Sequence, residues 1–174
     1  MHINNIEFKI RIDDAAAMRA AIEAVADGPP ETLHQKDTYF NAGDSAYLKL
    51  REENDRASLI AYRRARRAEP RPSDIRLTRI DNPGDLAETL AHALGTLAVV
   101  DKTRDLYFRG QTRIHLDRVA GLGDFVELEV VLQPGQDEAG GTAIADDLID
   151  RLGLDRNAIE TDSYRDLLAY ASDG

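Results

Sequence analysis

The chain has 174 residues, 43% of them hydrophobic, which is enough for one folded domain with a substantial core. It contains no cysteine, so disulfides, thiolate catalysis and cysteine-based zinc sites are excluded, and a bound metal must rely on carboxylates or histidines. The net charge of −10 argues against nucleic-acid binding, and no apolar run of about 18 residues predicts a membrane span or signal peptide, so we expect one cytoplasmic domain, residues 1–174.

The predicted elements begin with a strand at 5–12 (NIEFKIRI), whose polar and apolar residues alternate without a break. A helix follows from about residue 15, with Asp13 and Asp14 expected in its first turn, and it stops near Gly28. Four strands, a helix, three strands and two helices complete the chain. These strands are predicted at 36–41, 46–52, 58–64, 74–80, 97–108, 111–119 and 124–132, and the helices at 85–95, about 140–152 and about 162–171.

This order of elements predicts an α+β fold. The strands are mostly sequential, which favours hairpins and antiparallel pairing. Eight strands can close into an antiparallel β-barrel, which would remove unpaired edges, with the helices packed outside.

Five of the predicted strands each place ionisable side chains on one face and aliphatic side chains on the other. The ionisable residues are Glu7, Lys9 and Arg11; Lys49 and Arg51; Lys102 and Arg104; Arg113, His115 and Asp117; and Glu127 and Glu129. One interpretation is an antiparallel sheet with a solvated face. The alternative is a ligand site, because several of these pairs carry like charges that a ligand or metal would neutralise.

Charge is also unevenly distributed along the chain. From Lys49 to Arg79 there are ten basic residues and five acids, whereas from Asp137 onward there are ten acids and three arginines. A locally basic region in an acidic protein suits a small polyanion better than a long one. Inside a barrel, arginine and lysine would bind a polyphosphate, while carboxylates would hold Mg²⁺ or Mn²⁺.

Several segments together resemble a known family. They are NIEFKIR, TYFN, YLKLRE, DKTRDLYF, RIHLDRVAGLGDFVELEVVL and SYRDLL, between residue 4 and about residue 168. The sequence is similar to the CYTH superfamily of triphosphate tunnel metalloenzymes, and within it to the class IV adenylyl cyclase-like branch. The resemblance implies an eight-stranded antiparallel tunnel, a small-molecule triphosphate as substrate, Mg²⁺ or Mn²⁺ as cofactor and, as a further expectation, a homodimer.

The resemblance also implies site residues. Glu7, Lys9, Glu127 and Glu129 are the expected catalytic residues. Phosphate is expected to bind Lys9, Lys49, Arg51, Arg64, Lys102, Arg104 and Arg113, and the metal Glu7, Asp117, Glu127 and Glu129. Asn5 replaces the first acid of the family's E-x-E-x-K motif, which removes one charge and weakens a potential metal ligand.

Three further features have alternative interpretations. His115 is expected to be a hydrogen-bonding residue of the tunnel wall, and a catalytic or metal-binding role is the alternative. The basic run RRARRAEPRP (63–72) is expected to attract polyanions near the tunnel mouth rather than to bind nucleic acid. Adjacent Arg63 leaves the register of Arg64 open, and Arg76 and Arg79 have no assigned face.

The expected reaction is adenylyl cyclisation, in which the ribose 3′-hydroxyl of ATP attacks the α-phosphorus and pyrophosphate leaves. An inorganic or organic triphosphatase is the first alternative, acting on tripolyphosphate, thiamine triphosphate or a nucleoside triphosphate. A nucleotide- or polyphosphate-binding module without turnover is the second. The first two need the same positioning and charge neutralisation, so the sequence separates them poorly.

Overall fold

The structure is a computed structural model, and it describes residues 5–43, 46–62 and 75–172. Arg63 and Arg64 therefore lie outside the described residues, as does the basic run 63–72. Within the described ranges, no helix is both long enough and apolar enough to cross a membrane.

Eight strands and four helices follow the predicted order. The strands are β1 (Asn5–Ile12), β2 (Glu31–Phe40), β3 (Tyr47–Glu53), β4 (Arg56–Tyr62), β5 (Ile75–Arg79), β6 (Thr96–Arg109), β7 (Thr112–Val119) and β8 (Gly123–Val131). The helices are α1 (Ala15–Val25), α2 (Pro83–Leu94), α3 (Glu138–Arg151) and α4 (Tyr164–Ser172), with a short 3₁₀ helix at Arg156–Ala158. The α+β prediction is confirmed, and β2 begins five residues earlier than predicted.

Local capping explains where the helices begin. The Asp14 carboxylate accepts a hydrogen bond from the Ala17 amide at 2.9 Å, so Asp14 caps α1 instead of lying in its first turn as predicted. Asp137 caps α3 in the same way through the Gly140 amide at 2.8 Å. Pro83 starts α2, where a missing amide hydrogen costs nothing.

The strands form one antiparallel sheet in the order β1-β8-β7-β6-β2-β3-β4-β5. In this order β1 and β5 are the outermost strands, and no ladder joins them in the part of the chain that the structure describes. The eight-stranded antiparallel prediction is confirmed, whereas closure into a barrel stays a prediction. The chain also divides into two compact units, so the single domain stays a prediction as well.

The first unit comprises Met1–Leu33 and Thr103–Ser163. Its core lies where α1 and α3 cover the aliphatic faces of β1, β7 and β8. The core includes Ile10, Ile22, Tyr107, Ile114, Leu116, Val126, Leu128, Leu148 and Ile149. Helix α3 comes so close to the sheet that a Cβ on Gly141 would lie 2.9 Å from Ile6 and closer still to Leu132, so this position requires glycine.

The second unit comprises His34–Lys102 and Tyr164–Gly174. Here β3 pairs with β2 on one side and with β4 on the other, and β4 pairs with β5. Phe40 and Leu50 are its most deeply buried large side chains. The sequence left the faces of Arg76 and Arg79 unassigned. In the structure Arg79 lies opposite Ser58 and Arg76 opposite Ala61, so the two arginines lie on opposite faces of the sheet.

Candidate functional site

In the first unit, the polar faces of three neighbouring strands form an ordered array. The β7–β8 and β8–β1 registers place Arg113, Glu129 and Glu7 in one row across the sheet. The next row is His115, Glu127 and Lys9. The strands thus bring five predicted site residues, together with His115, onto a single surface, which we call the carboxylate face.

Three carboxylates on the polar faces of β7 and β8 are largely buried. The side chain of Asp117 is fully buried, while those of Glu127 and Glu129 are 12% and 16% exposed. A charge is expensive to remove from water unless it is paired. The interpretation of a solvated face therefore does not hold for Asp117, Glu127 and Glu129, whereas Glu7 on β1 is exposed.

Arg104 and Asp117 form a buried, bidentate ion pair. Arg104 donates from Nε and Nη2 to the two Asp117 carboxylate oxygens, each at 2.7 Å. Nη2 also lies 3.2 Å from Oε1 of Glu127. Because the Arg104 side chain is only 10% exposed, two carboxylates hold its guanidinium in place.

Glu129 receives donors on both of its oxygens. Asn5 donates from Nδ2 to Oε1 at 2.7 Å, and Arg113 donates from Nη1 to Oε2 at 3.2 Å. Asn5, which replaces an acid in the resembled motif, thus supplies a hydrogen-bond donor to one of the predicted metal ligands. The chemical effect of this replacement is to orient Glu129 instead of adding charge beside it.

Glu7 lies directly opposite Glu129 across the β1–β8 ladder. Such cross-strand neighbours have Cβ atoms about 5 Å apart, and like charges there destabilise a sheet. Lys9, two residues along β1, donates from Nζ to the Asp162 carbonyl oxygen at 3.0 Å. The backbone oxygen of Lys9 in turn accepts from the Glu160 amide at 2.7 Å, so the 160–162 segment is fixed against this strand.

The donor set fits Mg²⁺ or Mn²⁺. Within residues 5–43, 46–62 and 75–172, no three or more His, Asp or Glu side chains form a ready-made metal site. These ions, however, are commonly held by one or two carboxylates together with phosphate oxygens and water. Glu7 and Glu129 supply such a pair, although both Glu129 oxygens accept hydrogen bonds, as both Asp117 oxygens do from Arg104.

In the second unit, two predicted phosphate-binding residues on β3, Lys49 and Arg51, contact Asp37 on β2. Asp37 accepts a hydrogen bond from Lys49 Nζ at 2.7 Å and two from Arg51, also at 2.7 Å. The Asp37 and Lys49 side chains are 5% and 12% exposed, while Arg51 is 26% exposed. We call this group, together with Lys102 and Arg165, the cation cluster.

Burial and charge shift the pKa values in the cation cluster. Burial would raise the pKa of Asp37, but hydrogen bonds from Arg51 and the charge of Lys49 lower it to about 2. Burial and the nearby charge of Arg51 lower the pKa of Lys49 to about 8, although Asp37 opposes this change. Burial and the charge of Asp37 raise the pKa of Tyr39.

Aromatic rings hold the other two members of the cation cluster. Lys102 Nζ lies 4.9 Å from the centre of the Tyr164 ring. The Arg165 guanidinium lies 4.5 Å from the centre of the Tyr47 ring, which stacks on Tyr62 at 4.8 Å with an interplanar angle of 4°. Cations over aromatic faces are stabilised by the ring quadrupole, so the start of α4 helps to position two bases.

Sequence reasoning missed Asp37 and Arg165. Asp37 alternates with Tyr39 on β2, so its face was readable, but its cross-strand position opposite Arg51 depends on a register that the sequence does not specify. Arg165 follows a helix start far along the chain, and only the fold brings it to Tyr47. Arg64 lies outside the described residues, so its predicted role stays a prediction.

The sequence and the fold of this chain are similar to those of known proteins. A model of the CYTH domain matches residues 4–164. Adenylate cyclase CyaB of Aeromonas hydrophila is 27% identical over 172 residues, with 93% of this chain and 87% of CyaB covered. The PH1012 protein of Pyrococcus horikoshii OT3 shares the fold, with a TM-score of 0.80 and 22% identity over 94% of this chain and 99% of that chain.

A more distant solved structure has the same fold. It is a putative adenylyl cyclase from Hippeastrum, reported to have a dominant triphosphatase activity, with a TM-score of 0.64 and 16% identity over 98% of this chain and 96% of that chain. At such identities the structural likeness concerns the fold alone. The CYTH match, in contrast, extends over nearly the whole sequence. The chain therefore belongs to the CYTH domain family.

Proposed function

We propose that this protein is a divalent-metal-dependent enzyme acting on a triphosphate, and that its reaction is the class IV-type conversion of ATP to cyclic AMP and pyrophosphate. The observation that supports this most strongly is the pair of opposed carboxylates, Glu7 and Glu129, in a row that ends in Arg113. Neighbouring acids and bases on one face of a sheet suit a cation and a phosphate bound together.

Glu7, Glu127 and Glu129, three of the four metal ligands that the sequence predicts, would hold Mg²⁺ or Mn²⁺, although no three acids or histidines of the described residues are already arranged as a metal site. The ion supplies charge neutralisation for the phosphate oxygens and orients them for displacement. A metal would also remove the repulsion between Glu7 and Glu129, because it gives both carboxylates a shared positive partner. In this proposal Asp117 serves the site through Arg104, since the geometry leaves its oxygens engaged by that guanidinium.

Two separate groups of cations are proposed to bind phosphate. Lys9 and Arg113 lie on the carboxylate face, and Lys49, Arg51 and Lys102 belong to the cation cluster. Arg104 is a weaker phosphate ligand than the sequence predicts, because its guanidinium is largely buried against Asp117 and Glu127. Arg64 keeps its predicted place as a phosphate-binding residue.

Cyclisation is favoured over hydrolysis because adenylate cyclase CyaB of Aeromonas hydrophila is similar to this chain over 172 residues. The same residues would also suit a triphosphatase, in which water attacks the terminal phosphorus. The difference lies in which phosphorus faces the nucleophile. The closed tunnel, the single domain, the cytoplasmic location and a homodimer remain part of this proposal.

The test is a product analysis. Purified protein is incubated with ATP, inorganic tripolyphosphate or thiamine triphosphate, each with Mg²⁺ or Mn²⁺, and the products are separated. Cyclic AMP with pyrophosphate is the expected result. Orthophosphate as the product would show that the reaction is hydrolysis instead of cyclisation. Tight binding without products would show that the protein is a binding module.

A matched pair of variants ties any turnover to the site. The double variant Glu127→Gln with Glu129→Gln should abolish metal-dependent turnover, whereas Glu88→Gln, on the exposed side of α2, should leave it unchanged. Unchanged turnover in the double variant would show that the metal assignment is wrong.

A further inference from the structure

We propose that His115 is a positioning residue for Glu127, holding this carboxylate in the orientation in which it binds the divalent ion. The inference rests on the proposed function, since it concerns the same metal. His115 faces Glu127 directly across the β7–β8 ladder, and its Nδ1 lies 2.9 Å from Oε1 of Glu127. This is a hydrogen bond of ordinary length.

The chemistry of the pair defines which atom carries the proton. An ionised carboxylate can only accept, so Nδ1 of His115 carries the hydrogen that it shares with Glu127. The other ring nitrogen, Nε2, lies 4.0 Å from Oε2 of Glu129, which is beyond hydrogen-bond distance. His115 therefore orients Glu127 and leaves the orientation of Glu129 to Asn5 and Arg113.

Glu127 has a second donor on the same oxygen. Arg104 Nη2 lies 3.2 Å from Oε1, so the two donors converge on one atom from different strands. Two donors on a single oxygen fix the plane of the carboxylate as well as its position. A carboxylate held in this way has little rotational freedom left to lose when it binds a metal ion, so binding costs less conformational entropy.

Packing alone does not explain a histidine here. The His115 side chain is 6% exposed, and its neighbours along β7, Ile114 and Leu116, point to the opposite, aliphatic face and are buried in the core. A buried imidazole costs desolvation that an apolar side chain would avoid. Its hydrogen bond to Glu127 offsets this cost and gives the residue a reason to be polar.

The test compares three substitutions that differ in where they place a donor. In His115→Asn the amide nitrogen lies near the position of Nδ1, whereas in His115→Gln it lies near Nε2. His115→Leu retains volume and supplies no donor. If His115 positions Glu127, Asn should keep most of the function while Gln and Leu lose it.

The first readout is the affinity for Mn²⁺ alone, measured by electron paramagnetic resonance of the free ion. Loss of a residue that orients a metal ligand typically weakens metal binding by about 10- to 100-fold. We expect that loss for His115→Leu and His115→Gln, and a change of less than about threefold for His115→Asn. Equal Mn²⁺ affinity in wild type and His115→Leu would overturn the inference.

The second readout separates positioning from folding. Thermal unfolding is followed for all three variants without metal, and turnover is measured with ATP and tripolyphosphate at saturating Mn²⁺. Positioning predicts a lower kcat with little change in KM for the triphosphate in His115→Gln. Equal losses of Mn²⁺ affinity in His115→Asn and His115→Gln would overturn the inference, and this comparison holds even if His115→Leu does not fold.

Failure of this inference differs from failure of the proposed function. One outcome is that no triphosphate is turned over, but Mn²⁺ affinity decreases from wild type to His115→Asn and further to His115→Gln and His115→Leu. In that case His115 positions a metal ligand, and the proposed enzymatic function is wrong. If turnover occurs and all three variants match wild type, the function stands and the role of His115 is wrong.

Discussion

The carboxylate face of the first unit and the cation cluster of the second unit are built by the same strand geometry, but their charges are balanced differently. On the carboxylate face, Glu127 and Glu129 occupy the central strand with donors on both sides, and Glu7 adds a further acid. In the cation cluster, Asp37 is held by Lys49 and Arg51, and Arg165 pairs with Asp166, so bases outnumber acids there. The excess charge is therefore negative in one group and positive in the other, which suits the first to a metal ion and the second to phosphate.

The largest effect is expected where a buried charge loses its partner. Asp117→Asn would leave Arg104 without its bidentate partner in a position that is only 10% exposed. Breaking a buried pair in this way costs about 3 to 5 kcal/mol of unfolding free energy. Urea unfolding of wild type and variant measures this loss.

A more exposed pair, between β7 and β8, provides the control. Asp124 pairs with Arg118, whose side chain is 74% exposed, so Asp124→Asn should cost less than about 1 kcal/mol. Similar losses in both variants would mean that the Arg104–Asp117 pair is not buried as described.

The next effect tests whether the cation cluster, in contrast to the carboxylate face, binds phosphate. Lys49→Met removes one charge-assisted donor from the cation cluster, which is worth about 1.5 to 3 kcal/mol, or a roughly 10- to 100-fold weaker affinity. Titration calorimetry with tripolyphosphate in the absence of metal measures it. Lys36→Met, on the same sheet but in an exposed pair, is the matched control and should bind as wild type does.

Asn5 allows the carboxylate face to be altered by a single atom. Asn5→Asp replaces the donor to Glu129 with a fourth acid beside Glu7, Glu127 and Glu129, so repulsion should lower the melting temperature without metal, and Mn²⁺ affinity should rise by roughly tenfold. Asn5→Ala removes the hydrogen bond without adding charge. If Asp and Ala variants bind Mn²⁺ equally, Asn5 does not limit the metal site.

The last effect is a pH dependence of stability. Lys49 has a pKa of about 8 in the folded protein and an ordinary value of 10.5, so between these values the unfolded chain binds more protons. Stability contributed by this group therefore rises as pH increases from 8 towards 10.5. Unfolding from pH 7.5 to 10 should show this rise in wild type relative to Lys49→Met.

The sign is the same at the acid end for Asp37, because its pKa is also lowered in the folded protein and stability again rises with pH. Its pKa of about 2 lies below the ordinary 3.8, so its contribution is complete above pH 4 and is lost as the pH falls towards 2. If the difference in stability between wild type and Asp37→Asn does not change between pH 5 and 2.5, the Asp37 ion pairs are not formed in solution.

The sequence predicted which side chains share a strand face, because alternation has a period of two that any local stretch reveals. It could not predict that Glu7 lies opposite Glu129 or Asp37 opposite Arg51, since cross-strand register depends on how distant strands align. The burial of these side chains could not be predicted from the sequence either. The same alternation describes a solvated face and a buried one, and only the fold shows that Asp117 is inaccessible.

Mn²⁺ affinity in two double variants tests the central claim most directly. Glu127→Gln with Glu129→Gln should weaken Mn²⁺ binding by at least about tenfold, while Lys49→Met with Arg51→Met should leave Mn²⁺ binding within about threefold of wild type. Equal Mn²⁺ affinities in wild type and the glutamine variant would contradict the assignment of the metal to the carboxylate face.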